Sequence, residues 1–385
     1  MMQIVVVNVD QEEENNFLYW LNIFMEQAIE TKTGVEALLQ KRPLIISGPC
    51  SAETEEQVIQ TATRLAATGK VDILRAGIWK PRTRPGSFEG IGTKGLPWLQ
   101  QAKKASGLPV AIEVATAKQV EDALHFGVDV LWIGARTTVN PFSVQDVADA
   151  LKGADVPVLI KNPINPDLEL WIGAVERVAN AGIKNIGLIH RGFSSYGNTE
   201  YRNAPMWHLA IEMKRRNPGM LLINDPSHIC GRRDILLDVA QKAIDLDFDG
   251  LIIESHIDPD NAWSDAKQQI TPEVLGEMIG SIIWRTEEID SEELHAVMEK
   301  MRQQINQLDD ELLQLIGQRM KVADKIGQYK KDNNITILQT NRWNAILERA
   351  YERGEKLGLG KEFITKYFDA VHMESINHQN KIMNS

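Results

Sequence analysis

The chain has 385 residues, 43% apolar and 25% charged, which predicts two domains of ordinary size with enough apolar side chains for a sizeable core. Its 53 acidic groups outnumber the 42 basic ones, and the net charge of −11 excludes a general nucleic-acid binder, which needs a basic face. No run approaches the ~18 apolar residues of a membrane span. The acidic start, Met1–Asn16, does not read as a secretory signal, and two cysteines exclude a disulfide framework and fit a reducing cytoplasm.

In chain order, residues 1–40 are too few for a domain and are expected to form a strand and a helix that cap the floor of the adjoining domain. Residues 41–285 repeat one phrase, a short β-branched run ending in a polar group and then a helical stretch. The runs are Leu44–Cys50, Ile73–Gly77, Val110–Val114, Val130–Arg136, Val158–Asn162, Ile186–Gly192, Leu221–His228 and Leu251–His256, with starts 20–37 residues apart. Continuous rather than alternating apolar runs mark strands buried on both faces, as in a parallel sheet. Eight such units predict a (β/α)8 TIM barrel, closed by a helix from Pro272 to about Trp284. The rival, a doubly wound open sheet, lacks a GxGxxG after its first strand.

Residues 286–290 read as a linker, and 291–385 as an all-helical domain with no proline. Leu294, Met301, Leu308, Leu315 and Val322 recur every seven residues, interleaved with Met298, Ile305, Leu312 and Ile326. Such a seam predicts a long helix packed against another segment or a second copy. A second helix is expected from about Asn341 to Arg353, with Gly354, Gly358 and Gly360 breaking the chain after it, and a third from Lys361, with Ile364, Phe368 and Val371 as its apolar stripe.

The ends of the barrel runs carry the unusual residues: Cys50, Lys80–Thr83, Glu113, Arg136, Lys161, Arg191, Asp225, His228 and Glu254. In such barrels the C-terminal strand ends build the active site. Cations there are costly to desolvate without an anion, so Lys80, Arg82, Arg136, Lys161 and Arg191 together imply a multiply charged anionic substrate. Cys50, His228, Glu254 and Asp265 form a mixed soft and hard donor set that suits Mn, Fe, Co or Zn. By spacing alone that signal is weak. Cys50 could equally be a core cysteine and His228 a satisfied core histidine, and Cys230 competes as a ligand.

The motifs GPCSAE (48–53), RAGIWKPRTRPGSFEG (75–90), IGART (133–137), LIK (159–161), IHRG (189–192), NDPSH (224–228) and ESHIDPDNAWSD (254–265) resemble, in order, those of the shorter microbial 3-deoxy-7-phosphoheptulonate (DAHP) synthases. The resemblance implies condensation of phosphoenolpyruvate with erythrose 4-phosphate, and a divalent metal held by Cys50, His228, Glu254 and Asp265. It places Arg82, Arg136, Lys161 and Arg191 on phosphoenolpyruvate with Lys80 alongside. Lys80, Pro81, Arg82, Thr83 and Asp225 fall on erythrose 4-phosphate, and Glu113 near the reacting water. The sister enzyme making 3-deoxy-manno-octulosonate 8-phosphate is disfavoured, because its loop typically reads KANRTS where this chain reads KPRT. A Schiff-base aldolase using Lys161 would leave the donor set idle.

In the tail, MRQQINQLDDELLQLIGQRMKVADKIGQYK (301–330) and HMESINHQ (372–379) resemble the all-helical chorismate mutases. Arg302, Arg319, Lys330, Arg342, Ser375 and Gln379 fall on that family's substrate positions, with Lys330 and Gln379 at the developing charge on the ether oxygen. Arg302 stands about 25 Å along the helix from Arg319, too far to share one small site, so the resemblance implies a homodimer. Gln339 and Trp343 depart from the Asp and Glu of many members. They leave open a non-catalytic domain that senses chorismate or prephenate. Fusion further implies feedback by prephenate on the barrel.

Overall fold

The computed structural model describes residues 35–81, 86, 88–197, 200–285 and 291–384. Residues 286–290, expected to form a linker, and most of residues 1–40, with their expected strand and helix, therefore lie outside the described residues. The chain forms two compact units, Met1–Glu287 and Glu288–Ser385.

The first unit opens with a short helix α1 (Val35–Leu39) and then alternates strand and helix. Its strands are β1 (Leu44–Gly48), β2 (Ile73–Arg75), β3 (Val110–Val114), β4 (Val130–Ile133), β5 (Val158–Lys161), β6 (Ile186–His190), β7 (Leu221–Asn224) and β8 (Gly250–Glu254). Every neighbouring pair is parallel, and β8 returns to β1 in the register Leu44↔Gly250, which closes an eight-stranded barrel. Between the strands run α2 (Glu55–Ala67), α3 (Leu96–Ser106), α4 (Ala117–His125), α5 (Ala135–Thr138), α6 (Pro141–Ala150), α7 (Leu168–Asn180), α8 (Trp207–Arg216), α9 (Pro226–Cys230) and α10 (Leu236–Asp245), with α11 (Pro272–Ser281) after β8.

Local chemistry sets the helix starts. Thr54, Thr116, Asn140, Asp167 and Thr271 each accept a hydrogen bond from a backbone N–H of the first turn, satisfying a donor the helix cannot. Alternate strand residues divide between two cores. Leu44, Ile46, Ile73, Val130, Leu159, Ile189, Ile223 and Ile252 fill the barrel interior, joined by Leu39 of α1. Their neighbours Ile45, Leu74, Ile112, Leu131, Ile160, Leu222 and Ile253 face the helices. Both faces of every strand are thus dry, which is why the sequence shows runs and not alternation.

The second unit holds three helices: α12 (Glu292–Asp332), α13 (Thr340–Lys356) and α14 (Lys361–Met383). Ser291 caps α12 by accepting from the Leu294 N–H. Two boundaries differ from the sequence expectation. The last barrel helix stops at Ser281, short of Trp284. Gly354 does not break the second helix, which continues to Lys356. A Cβ at Gly354 would lie 2.1 Å from Ile364 Cδ1, so this glycine serves close packing of α13 on α14. The turn is made at Gly358, one of the three glycines expected to break the chain, whose φ of +74° is costly for other residues. No helix among the described residues is long and apolar enough to cross a membrane.

Candidate active sites

At the C-terminal mouth of the barrel the strand ends bring together most of the residues singled out above. Cys50, Lys80, Pro81, Glu113, Arg136, Arg191, His228 and Asp265 line one cleft, with Arg75, Trp79 and Arg202. Arg82 and Thr83 lie outside the described residues. Cys230, the competing donor, is buried elsewhere against the Ile235 carbonyl.

The four donor residues approach in two pairs. Cys50 Sγ lies 3.2 Å from Asp265 Oδ2, and His228 Nε2 lies 3.8 Å from Glu254 Oε1. Three cations balance them. Lys80 Nζ donates to Cys50 Sγ at 2.7 Å, Arg75 Nη2 stands 3.3 Å from Glu254 Oε1, and Arg202 Nη1 donates to Asp265 Oδ1 at 2.9 Å. As placed, no three His, Cys, Asp or Glu side chains among the described residues come together as an ion-holding group.

The electrostatics follow from depth. Burial, then the nearby Glu254 carboxylate, pushes the Cys50 thiol up to about 12. Burial also lowers the His228 pKa, against the pull of Asp225, and so favours a neutral ring. For Asp225 burial acts upward, but His228 and Lys161 outweigh it and hold the carboxyl well below the usual range. Asp225 sits within 3.0 Å of His228 Nδ1 and accepts from Lys161 Nζ at 2.8 Å. It therefore orients the imidazole so that Nε2 faces Glu254, the carboxylate–histidine arrangement that commonly supports a ligating ring.

The donor set fits a divalent transition ion. Glu254 Oε1 is buried without a hydrogen-bond donor of its own, while Oε2 accepts from Gln268 Nε2 at 2.6 Å. A thiol, an oriented neutral imidazole and two carboxylates complete a mixed set.

Beside them lies a cationic half. Lys161 and Arg75 both stand over the Trp132 ring, 5.8 and 5.1 Å from its centroid. Trp132 Nε1 donates to Glu113 Oε2 at 3.1 Å. Gly134 makes that carboxylate position available, since a Cβ there would lie 1.9 Å from Glu113 Oε1. Arg191 donates to Asn203 Oδ1 at 2.8 Å; burial, with Arg136 and Arg202 adding to it and Asp225 opposing, lowers its pKa to about 10. It remains a cation at neutral pH.

Sequence reasoning missed Arg75, Trp132 and Arg202. Arg75 ends an apolar strand and carried the same signal as Lys161. Arg202 sits in an irregular segment, where an arginine is ordinary. Also missed was the clasp on the segment bearing Asp265: buried Glu53 lies 3.4 Å from His256 Nε2 and accepts from the Trp263 N–H at 2.7 Å.

In the helical unit, Arg319, Lys330, Ser375 and Gln379 converge between α12 and α14. Arg319 Nη1 donates to Ser375 Oγ, and Lys330 Nζ donates to the Ile337 carbonyl at 2.6 Å. Burial lowers the pKa of both cations. Gln379 donates to the Ser375 carbonyl, and its Oε1 is buried without a partner among the described residues. Arg302 is exposed beside Glu299, and Arg342 is exposed on α13. Neither joins the cluster.

A family model described as the DAHP synthetase I family matches residues 26–291, and one described as chorismate mutase type II matches residues 301–380. A phospho-2-dehydro-3-deoxyheptonate aldolase of Thermotoga maritima is 33% identical over 235 residues, 61% of this chain and 67% of its own length. A 2-dehydro-3-deoxyphosphooctonate aldolase of Azoarcus sp. is 30% identical, over 60% of this chain and 86% of its own. The crystal structure of the Thermotoga maritima DAHP synthase superposes with a TM-score of 0.56 at 32% identity, covering 62% of this chain and 67% of that one. A truncated form of the Thermotoga maritima synthase gives 0.53 at 30%, covering 62% and 84%. With a closed parallel barrel over the first match and three helices over the second, the chain belongs to the DAHP synthetase I family and carries a type II chorismate mutase domain behind it.

Proposed function

We propose that the barrel (41–285) condenses phosphoenolpyruvate with erythrose 4-phosphate in a metal-dependent reaction, and that the helical domain (291–385) rearranges chorismate to prephenate. The observation that carries the first half is the cleft at the barrel mouth, where Cys50, His228 and Asp265 share one lining with Arg75, Lys80, Arg136, Arg191 and Arg202, and Glu254 lies 3.8 Å from His228 Nε2.

Cys50, His228, Glu254 and Asp265 would hold the divalent ion. When bound, it supplies Lewis acidity toward the aldehyde oxygen of the sugar phosphate. Arg136, Lys161 and Arg191, with Arg82, bind the phosphate and carboxylate of phosphoenolpyruvate and stabilise negative charge as the new bond forms. Lys80, Pro81, Thr83 and Asp225 serve the erythrose 4-phosphate side. Carbon joins carbon, water adds at the neighbouring carbon, and phosphate leaves; Glu113, fixed by the Trp132 indole, orients that water. The Lys161 ammonium is engaged by Asp225 at 2.8 Å, which supports an anion-binding role over that of an amine nucleophile.

In the helical domain the rearrangement is unimolecular, and cations that hold two carboxylates fix the reactive conformer. Arg319, Lys330, Ser375 and Gln379 provide one side of that clamp, and Arg342, exposed on α13 and outside the cluster, would join it on the bound substrate. Arg302 would serve the site of a second copy. A homodimer is supported by α12, on which Leu294, Met301, Ile305, Leu308, Leu312 and Leu315 are all at least half exposed. Prephenate, as the product of the second activity, would act back on the first by binding one state of the chain better than another.

Phosphate release tests the barrel. It is expected with phosphoenolpyruvate and erythrose 4-phosphate, lost in chelator, restored by a divalent ion and slowed by prephenate. Release with arabinose 5-phosphate in place of erythrose 4-phosphate would transfer the assignment to the sister reaction. A mutase assay tests the tail, where saturable chorismate binding without turnover would make it a sensor.

A further inference from the structure

One side chain in the helical pocket has no part in the clamp described above. His372 precedes Ser375 by three residues and Gln379 by seven, so all three share one face of α14. Its ring stacks on Trp343 of α13, with centroids 4.1 Å apart and planes inclined by 14°. That contact fixes the imidazole plane and leaves its edge to do the bonding. The Nε2 atom is buried and, among the described residues, has no hydrogen-bond partner.

Buried polar atoms in folded proteins are nearly always partnered. Here two orphans, His372 Nε2 and Gln379 Oε1, occur on one helix face beside two cations. Burial first, and then the Arg319 charge, lowers the His372 pKa, with Lys330 adding to the effect and Asp369 opposing it. The ring is therefore neutral near pH 7, and a neutral imidazole is poorly suited to a carboxylate, which Arg319 and Lys330 bind better. It suits a neutral hydroxyl, to which a ring nitrogen can donate or from which it can accept. Chorismate presents two carboxylates, an ether oxygen and one such hydroxyl.

We propose that His372 contacts the substrate through Nε2 and recognises the ring hydroxyl, with Trp343 as the positioning residue that holds the imidazole plane. The proposal rests on the helical domain binding chorismate.

The test uses the full chain and two ligands, chorismate and an analogue lacking the ring hydroxyl, with dissociation constants read by calorimetry. His372→Phe keeps an aromatic face for Trp343 and removes the nitrogen. It is expected to weaken chorismate binding about tenfold, one hydrogen bond's worth, and to leave the analogue unchanged. His372→Gln, which restores a polar tip, is expected to recover part of the loss and serves as the second variant should the first misfold. Equal losses on both ligands, or none on chorismate, would overturn the role of His372 alone. A wild-type chain that binds neither ligand would overturn the mutase assignment and this proposal with it.

Discussion

The two units each gather a cluster of cations, with opposite degrees of self-sufficiency. In the barrel each strand is paired on both sides and buried on both faces, and three of the cations at its mouth are countered by carboxylates within the chain. Lys161 has Asp225, Arg75 has Glu254 and Arg202 has Asp265. In the helical unit the 41-residue α12 buries only Met320, Ala323, Gly327 and Lys330, all in its second half. Arg319 and Lys330 there lean on a hydroxyl and a carbonyl, with no carboxylate as partner among the described residues. A closed sheet is complete in one chain; a cluster on a long helix inherits whatever that helix lacks.

The sharpest way to break this contrast is to remove a buried charge from the barrel. Lys161→Met leaves Asp225 with one partner fewer in a dry site. Synthase activity should fall by about a thousandfold or more, and unfolding should become easier by about 3 kcal/mol. Mutase activity of the same preparation should stay unchanged. A mutant that retains phosphate release would refute the placement of the anion site at β5.

The converse change acts on the helical side. Ile305→Asp with Leu312→Asp puts charge on the exposed stripe of α12, where each large apolar side chain contributes about 1.5–3 kcal/mol if covered. Sedimentation should show association weakened by at least about a thousandfold. Mutase activity should fall with it, and synthase activity should hold within about threefold. If the variant sediments as the wild type does, the stripe is covered by something other than a second copy.

These two experiments also mark what could be read from the residues alone. The barrel was legible because burial on both faces writes itself as uninterrupted Leu, Ile and Val, and because a Lys or Arg closing such a run has few structural excuses. The same rule should have flagged Arg75, which was passed over inside a longer motif. Arg202, Gln268 and the Glu53–His256 clasp were not legible: they act from irregular segments, where polar residues are the norm and only the fold shows what they touch. On the tail, the heptad seam announced a long helix, but periodicity does not say what covers it. Of the three glycines expected to break the chain after the second helix, Gly354 serves packing and Gly358 the turn, because a packing glycine and a stop glycine look alike until the neighbour, Ile364, is in place.

A smaller effect concerns pH. His190 is fully buried; Nε2 lies 2.6 Å from the Pro205 carbonyl and Nδ1 lies 3.0 Å from Asn224 Nδ2, so both nitrogens are satisfied by a neutral ring. Burial, with the Pro205 carbonyl opposing it and Arg191 reinforcing it, lowers its pKa to about 4. A histidine depressed in the fold contributes stability that is whole above its unfolded value near 6.5 and is lost as pH falls toward the folded one. Denaturant melts of the barrel should therefore show about 3 kcal/mol draining between roughly pH 6.5 and 4. Asp225 and Glu254 are lost in the same direction at lower pH, so the diagnostic is the difference from His190→Asn, whose slope in that window should be shallower. Parallel slopes would mean that the ring is charged in the fold.

The smallest predicted change tests whether the helical pocket is set by backbone approach. Gly327 lies where α12 meets α14, and a Cβ there would stand 3.0 Å from Gln379 Cα and 3.2 Å from its Cγ. Alanine gains up to about 1 kcal/mol of helix propensity over glycine in a helix interior. It must also push the two helices apart by a few tenths of an ångström, and the unit has no closed sheet to resist. The two effects should nearly cancel in the unfolding free energy, leaving it within about 1 kcal/mol of wild type. Gln379 has no such compensation, because its Oε1 is poised by the very contact that alanine crowds. Gly327→Ala should therefore cost mutase activity several-fold at nearly unchanged stability, while phosphate release from the barrel is untouched. Activity and stability falling together would instead make Gly327 a packing residue, and the pocket more compliant than the approach of α12 and α14 implies.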